Sequence, residues 1–546
     1  MTVDHLNTLL LESAVILLFA VVAVRISTRS GLPSLLIYLG IGVALGQNGI
    51  GISFNNAELT QVLGYAALVV ILAEGGLKTS WRSIRPVVPA AAVLATLGVA
   101  VSVFVTAAGA HWLVGLEWRT ALLLGAIVSS TDAAAVFSVL RMVPLPKRLT
   151  GLLEAESGFN DAPVVILVVA FAATGELDPW YVLVGTIIVE LVVGGAVGYA
   201  VGKLGAYAVR RVALPSSGLY PIAVLALIVL AYAGGSLLHA SGFLATYVAS
   251  VILGNSKLPH GPAVRGFADG LAWIGQIGMF VVLGLLVTPT SMGAAVVPGL
   301  VAGAVLVFVA RPLSVLLTMT PFRIPWQEQA LLSWAGLRGA VPIVLATIPL
   351  VSGATDAQQL FNVVFILVVV FTLLQGPTLP LVARWLRIGE GDIGQDLGIE
   401  SAPLEKLHGH LLSVHLAPGS RMSGVEVSEL RMPKGAAVTL VVREGSSFVP
   451  DRTTVLREGD ELLVVTTDEV SEAAERRLRA VDRGGKLAGW LEHAEGPSAV
   501  SRTSRRAPSL AGKPSAAGKP SAAGKAPTAG KASVAGKPSI ARKKTG

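Results

Sequence analysis

The feature that most constrains this chain is its succession of apolar stretches of roughly 20 residues, the length an α-helix needs to cross a ~30 Å hydrocarbon layer. They run approximately over 7–27, 32–47, 59–77, 86–108, 119–140, 152–174, 180–202, 219–238, 242–255, 270–288, 295–319, 326–349 and 357–383, thirteen in all. Composition agrees: 53% of residues are hydrophobic, 14% are charged and mean hydropathy is +0.70, whereas soluble domains carry about 25% charged residues. Lipid is therefore the expected solvent for most of the chain. The absence of cysteine excludes disulfides, thiolate metal sites and cysteine nucleophiles. The run from Leu9 to Val24 has neither a basic region before it nor a cleavage pattern after it, and reads as a retained span. The net charge of +8 sits largely in loops between spans and in a basic tail, so nucleic acid is not expected as a partner.

Basic residues orient the spans. Arg25 and Arg29 follow the first; Lys78, Arg82 and Arg85 the third; Arg141, Lys147 and Arg148 the fifth; Lys203, Arg210 and Arg211 the seventh. Lys257 and Arg265 follow the ninth, Arg323 the eleventh, Arg384 and Arg387 the last. The alternate loops hold almost none, with Arg119 as the clear exception. This places the N-terminus outside and the C-terminus in the cytoplasm, which requires an odd number of spans.

An internal repeat is visible. The second and ninth spans run from Tyr38-Leu39-Gly40 to Leu45-Gly46-Gln47-Asn48 and from Tyr247-Val248-Ala249 to Leu253-Gly254-Asn255. The fifth and twelfth share a polar break at mid-span, Ser129-Ser130-Thr131-Asp132-Ala133-Ala134 and Ala335-Gly336-Leu337-Arg338-Gly339-Ala340. The near-equal offsets predict two six-span halves on either side of a linker span. A displacement of seven spans inverts one half relative to the other. Paired interruptions in corresponding spans of inverted halves point to a transporter's midplane site. The Gly40-Ile41-Gly42 to Gly46 run resembles part of a dinucleotide fingerprint, but lies in a span with no strand before it and reads as helix packing.

Charged groups inside spans are costly and mark ion paths or proton relays. Asp132 and Asp161 both fall near the bilayer centre by residue count. A carboxylate placed there can hold a proton until a cation displaces it, and one group with two mutually exclusive ligands is the minimal chemistry of exchange. The plain alternative is an aspartate satisfied by backbone groups, strongest for Asp132 beside the break. On the sixth span, Glu154, Ser157 and Asp161 share one helical stripe, with Glu156 and Asn160 on a second roughly 100° away. Ser157 is a candidate hydroxyl ligand and Thr131 can add hydroxyl or carbonyl oxygen, packing being the alternative for each. Arg338 is permanently charged and needs an anion, for which Glu156 is the candidate. Arg311 is similar, unless it reaches the interface. Glu74 is an entrance ligand or a solvated helix-end glutamate.

Three motifs carry a family resemblance. Gly125-Ala126-Ile127-Val128-Ser129-Ser130-Thr131-Asp132-Ala133-Ala134-Ala135-Val136-Phe137, then Glu156-Ser157-Gly158-Phe159-Asn160-Asp161, then Ser333-Trp334-Ala335-Gly336-Leu337-Arg338-Gly339-Ala340-Val341-Pro342 resemble the NhaP-type bacterial monovalent cation:proton antiporters. The resemblance spans about residues 7 to 390. It implies an all-α polytopic membrane fold of about thirteen helices in two inverted repeats with crossed discontinuous helices, usually as a homodimer. It also implies that Asp161, Asp132, Thr131, Ser157 and Glu74 surround the cation, and that Glu156, Asn160 and Arg338 form a structural network, to which Glu154 is assigned as well. Asn160, where electrogenic relatives carry a second aspartate, implies one-for-one exchange. Gly75-Gly76-Leu77, Leu219-Tyr220-Pro221, Asp269-Gly270-Leu271-Ala272-Trp273 and Ala310-Arg311-Pro312-Leu313-Ser314-Val315 are most similar to the potassium/proton branch, from which Glu74 departs where an aspartate is expected.

After Arg387 the composition becomes soluble. Leu411–Leu416, Ala437–Val442 and Glu461–Val465 read as strands, Val470–Ala480 as an amphipathic helix and Arg457–Asp460 as a turn. Over about 402–484 this resembles the TrkA-C regulatory module, a small α+β domain, which implies dimerisation and binding of a nucleotide such as a cyclic dinucleotide, or a dimer clamp without ligand. From about residue 496, Lys513, Lys519, Lys525, Lys531 and Lys537 recur every six residues among Ala, Gly, Pro and Ser, so a disordered tail with at most weak attraction to anionic lipid is expected. The expected organisation is thus a membrane domain over 1–390, the module over 402–484 and the tail over 496–546. The expected activity is potassium/proton antiport in the bacterial inner membrane, with sodium as the alternative ion. No enzymatic chemistry, cofactor or metal beyond the transported ion is expected. A channel is disfavoured because no Thr-Val-Gly-Tyr-Gly filter loop occurs.

Overall fold

The computed structural model describes residues 34–485 except 48, 52, 53, 55, 141–144, 174, 176, 178, 288, 389–397, 405–408, 417–419 and 468, together with residues 7, 11, 14–22 and 25. Arg29, Arg141 and the lysine-rich tail lie outside the described residues.

Residues 14–22 form α1. The helices that follow are α2 (Ser34–Leu45), α3 (Ala57–Lys78), α4 (Val88–Val114), α5 (Trp118–Ser129), α6 (Ala133–Leu140), α7 (Lys147–Ala172) and α8 (Trp180–Arg211). Next come α9 (Leu219–Leu237), α10 (Gly242–Gly254), α11 (Gly261–Leu285), α12 (Gly293–Phe322), α13 (Trp326–Trp334), α14 (Ala340–Ser352) and α15 (Ala357–Trp385). Among the described residues, eight helices are long and apolar enough to cross a membrane, and four more apolar helices are shorter: α2, α5, α10 and α14. The short ones are the members of the two repeat pairs read from sequence. Both predicted breaks are present. Ser130–Asp132 separate α5 from α6, and Ala335–Gly339 separate α13 from α14, in neither case as helix.

Small residues set how closely these helices approach. A Cβ on Gly42 would stand 2.2 Å from the Val281 carbonyl oxygen and 2.8 Å from Gly284 Cα, so α2 and α11 meet almost backbone to backbone. Within the glycine run, Gly42 therefore serves helix packing, as read, whereas a Cβ on Gly40 would meet nothing. Arg119 has a structural explanation too. Its guanidinium donates to the carbonyl oxygens of Phe171 (3.0 Å), Ala173 and Gly175, closing the C-terminus of α7, where unpaired carbonyls collect and a cation is stabilising.

The soluble part is a five-stranded antiparallel sheet in the order β1-β2-β5-β3-β4, formed by Gly398–Leu404, Gly409–His415, Ala436–Arg443, Ser446–Phe448 and Glu461–Thr467. The helix α16 (Ser471–Gly484) sends Ala474, Leu478 and Val481 into a core with Leu412, Val414, Val441, Leu462 and Val464. The three predicted strands and the helix are all found. The sheet also takes in β1, which begins before residue 402, and the short β4; neither has the apolar alternation that reveals a strand.

Candidate functional site

The site is built where the two interrupted helices meet. The backbone N–H of Asp132 donates to the Leu337 carbonyl at 3.0 Å, tying one break to the other. Each break leaves a helix N-terminus with bare N–H groups and a helix C-terminus with bare carbonyls, inside a medium that cannot solvate them. Asp132 answers the first: Oδ1 accepts from the Ala135 amide at 3.1 Å, the N-cap geometry for α6. Arg338 answers the second: Nη1 donates to the carbonyls of Ser129 (2.7 Å) and Ser130 at the end of α5. Thr372 on α15 closes the Arg338 carbonyl at 2.9 Å.

Arg338 therefore does not hydrogen-bond to Glu156, as the sequence led us to expect. Glu156 is taken by Arg311 in a two-pronged bond, Nη1 to Oε1 at 2.6 Å and Nη2 to Oε2 at 2.9 Å, with both side chains buried. The physical reason lies in the backbone. Arg311 follows a π-helical turn, Leu306–Ala310, which shifts the helix phase and carries the guanidinium inward. Arg338, on a non-helical connector, finds the carbonyls of α5 instead.

The rest of the second stripe joins this pair. Asn160 Nδ2 donates to Thr131 Oγ1 at 2.5 Å, and Thr131 Oγ1 lies 3.4 Å from Glu156 Oε1. The first stripe faces elsewhere. Glu154, Ser157 and Asp161 line a cavity of about 440 Å³, together with Glu74, Thr131 and Asp132. Asp161 is 6% exposed, and its Oδ1 accepts from Ser130 Oγ at 2.7 Å. Ser157 Oγ donates to the Thr131 carbonyl at 3.0 Å. Glu74 lies 2.5 Å from Lys78 Nζ, so it is an ion-paired glutamate on the cavity wall. The structure thus brings the five predicted cation ligands to one cavity and places Glu156, Asn160 and Arg338 behind it; Glu154, expected in that network, lies on the cavity wall instead, because it shares the helical stripe of Ser157 and Asp161.

Three contributors were missed: Ser130 as the donor to Asp161, Arg311 as the partner of Glu156, and Tyr247. The Tyr247 ring lines the cavity from α10 and packs so tightly on Gly158 that a Cβ there would stand 2.3 Å from it. The recurrence of Tyr38 and Tyr247 in the repeated spans was a signal that could have pointed to it.

Chemically, a buried carboxylate with one oxygen on a hydroxyl and a cavity beside it can bind either a proton or a desolvated cation. Hydroxyl, carbonyl and carboxylate oxygens are the ligands hard cations take. Among the described residues, no cluster of three or more His, Cys, Asp or Glu forms a metal site.

Residues 14–385 match the family described as sodium/hydrogen exchanger, transmembrane, and residues 411–479 match the TrkA-C domain. The chain is 38% identical over 500 residues to a K(+)/H(+) antiporter NhaP of Alkalimonas amylolytica, covering 88% of this chain and 86% of that one. It is 35% identical to a K(+)/H(+) antiporter NhaP2 of Shewanella sp. (strain ANA-3), covering 87% and 83%. Among solved structures, the sodium proton antiporter MjNhaP1 of Methanocaldococcus jannaschii has a TM-score of 0.61 over 70% of this chain and 99% of that one; at 20% identity this is a likeness of fold. With the family match extending over most of its length and carrying both interrupted helices, the chain belongs to the transmembrane sodium/hydrogen exchanger family and bears a TrkA-C domain beyond its membrane part.

Proposed function

We propose that this protein exchanges potassium for protons, one for one, across the bacterial plasma membrane by alternating access. The observation that carries the reading is the buried Asp161 carboxylate on the wall of a cavity lined by oxygen donors. Proton and cation compete for this group, with Thr131, Ser157 and Asp132 around the ion and Glu74 at the entrance of the cavity. Asn160 is neutral where a second carboxylate beside Asp161 would add a charge, which supports electroneutral exchange. Asn160, Glu156, Arg311 and Arg338 hold the frame, and Glu154 offers a further carboxylate on the wall.

Potassium is preferred over sodium because relatives 38% and 35% identical are named K(+)/H(+) antiporters. Sodium is the second reading, favoured by the family's own description. The alternation of basic loops supports thirteen spans with the N-terminus outside and the C-terminus in the cytoplasm. In this reading the protein works as a homodimer, and the TrkA-C domain regulates it through a small cytosolic ligand such as a cyclic dinucleotide. Everted vesicles containing the protein should release protons on addition of potassium. Release with sodium alone would replace the ion, and release with no monovalent cation would overturn the reading.

A further inference from the structure

Asp269 belongs to none of the networks around Asp161, yet it lines the same cavity from α11. Together with Glu74, one turn before the end of α3, it holds the ammonium of Lys78. Nζ lies 2.5 Å from Glu74 Oε1 and 2.6 Å from Asp269 Oδ1. Lys78 and Asp269 are about half exposed and Glu74 is 19% exposed, whereas Asp161 is buried. The three form the open end of the cavity, and Asp161 lies at its closed end.

We infer that Lys78 is a specificity-determining residue of the exchange: a tethered monovalent cation that fixes the charge of the cavity mouth. The inference rests on the antiport reading given above. Two carboxylates that meet on one ammonium would, without it, present paired negative charges that attract a divalent cation more strongly than a monovalent one. The lysine between them leaves one net negative charge. That is enough to concentrate cations at the entrance, and it removes the paired charge that would hold a divalent ion there. The ammonium is a point charge on a flexible stem and can step aside for an entering ion. It also spans α3 and α11, so the charge balance of the mouth depends on how those two helices are placed. The remaining carboxylates of the lining, Glu154, Asp132 and Asp161, belong to the interrupted α5–α6 pair and to α7.

The test uses full-length protein in proteoliposomes, titrated with potassium chloride with and without calcium chloride, with proton movement read from a pH-sensitive dye. For K78Q, half-saturation by potassium should fall by roughly threefold to tenfold, and millimolar calcium should inhibit it while leaving the wild type unaffected. K78R should restore both wild-type values. D269N should shift half-saturation in the opposite direction by a similar factor, and it decides the matter if K78Q fails to insert. Unchanged half-saturation in K78Q or in D269N would overturn the inference. So would a K78R variant behaving like K78Q, because shape and not charge would then be what counts. A wild-type protein that moves no protons with any cation would remove the antiport reading itself, a result distinguishable from either of these.

Discussion

Arg311 and Glu156 form a buried two-pronged ion pair that joins α12 to α7 immediately behind the Asp161 cavity. Taking two charges out of water is costly, and their geometry offsets the cost only while both are present. Arg311→Ala and Glu156→Ala should therefore each destabilise the fold by roughly 3–5 kcal/mol and lower the amount of monodisperse protein. The double variant should recover part of that loss. Fluorescence-detected size exclusion across a temperature series reads both effects. Two single variants as stable as wild type would mean that the pair contributes no net stability.

Asp161→Asn should abolish exchange with no loss of folded protein. The carboxamide keeps the shape and still accepts from Ser130, but it carries no charge for proton and cation to contest. Potassium-driven proton release from vesicles is the measurement, alongside size exclusion for integrity. Exchange at the wild-type rate would eliminate the competition mechanism.

Much of this site was legible because helical angle is a strong constraint. Sorting Glu154, Ser157 and Asp161 from Glu156 and Asn160 by angle alone separates the cavity-lining residues from the buried network. The interrupted helices were legible for a similar reason: a run of small and polar residues at mid-span stands out against an apolar pattern that is otherwise continuous. The arginine partners were not. Arg338 and Arg311 both looked like buried cations in need of an anion, and the phase shift from the π turn before Arg311 leaves no mark in a pattern read at 3.6 residues per turn. In the soluble domain, β1 and β4 were missed because Gly398–Leu404 and Ser446–Phe448 lack apolar alternation, and long-range pairing decides their structure.

Gly339→Ala tests the crossing itself. A Cβ at this position would stand 1.9 Å from Asp132 Oδ2, so the carboxylate has to move and the cap on α6 goes with it. Loss of a cap costs about 1 kcal/mol, a modest effect on folding. Displacing a wall of the cavity costs more in rate: turnover should fall about tenfold or more, with most of the folded protein retained. Transport assays on protein matched by size exclusion check this, and unimpaired turnover would show that Asp132 has slack at the crossing.

The soluble domain carries its own pH test. Burial pushes the Asp460 carboxyl up, but Arg443 outweighs it with two bonds of 2.7 Å, aided by the Arg457 amide at 2.8 Å and both positive charges, so the group lies below its ordinary range. A carboxylate lowered by folding contributes stability above its unfolded value of ~3.9 and loses it as pH falls through the folded value. Amide protection of β5 should therefore be steady above about pH 4 and drop below it. In Asp460→Asn the drop should be absent, and protection should already be lower at neutral pH. An unchanged acid slope in that variant would assign the transition to another group.

Ending the chain after Ile388 should leave a protein that still exchanges ions but responds differently to pH or to a cytosolic nucleotide. Every cavity-lining residue lies before that point, while the sheet that begins at Gly398 and the TrkA-C match over 411–479 lie after it. A domain joined to the last helix can bias inward-open against outward-open populations only if it, or what it binds, prefers one of them. A ligand that favours one state tenfold shifts the balance by about 1.4 kcal/mol, enough to read as a displaced pH profile. Full-length and shortened protein in matched vesicles, assayed across pH with and without cyclic dinucleotides, give the comparison. Identical profiles would leave the domain as a dimer clamp. Complete inactivity of a well-folded shortened chain would be equally damaging, because it would place part of the transport machinery beyond the membrane helices.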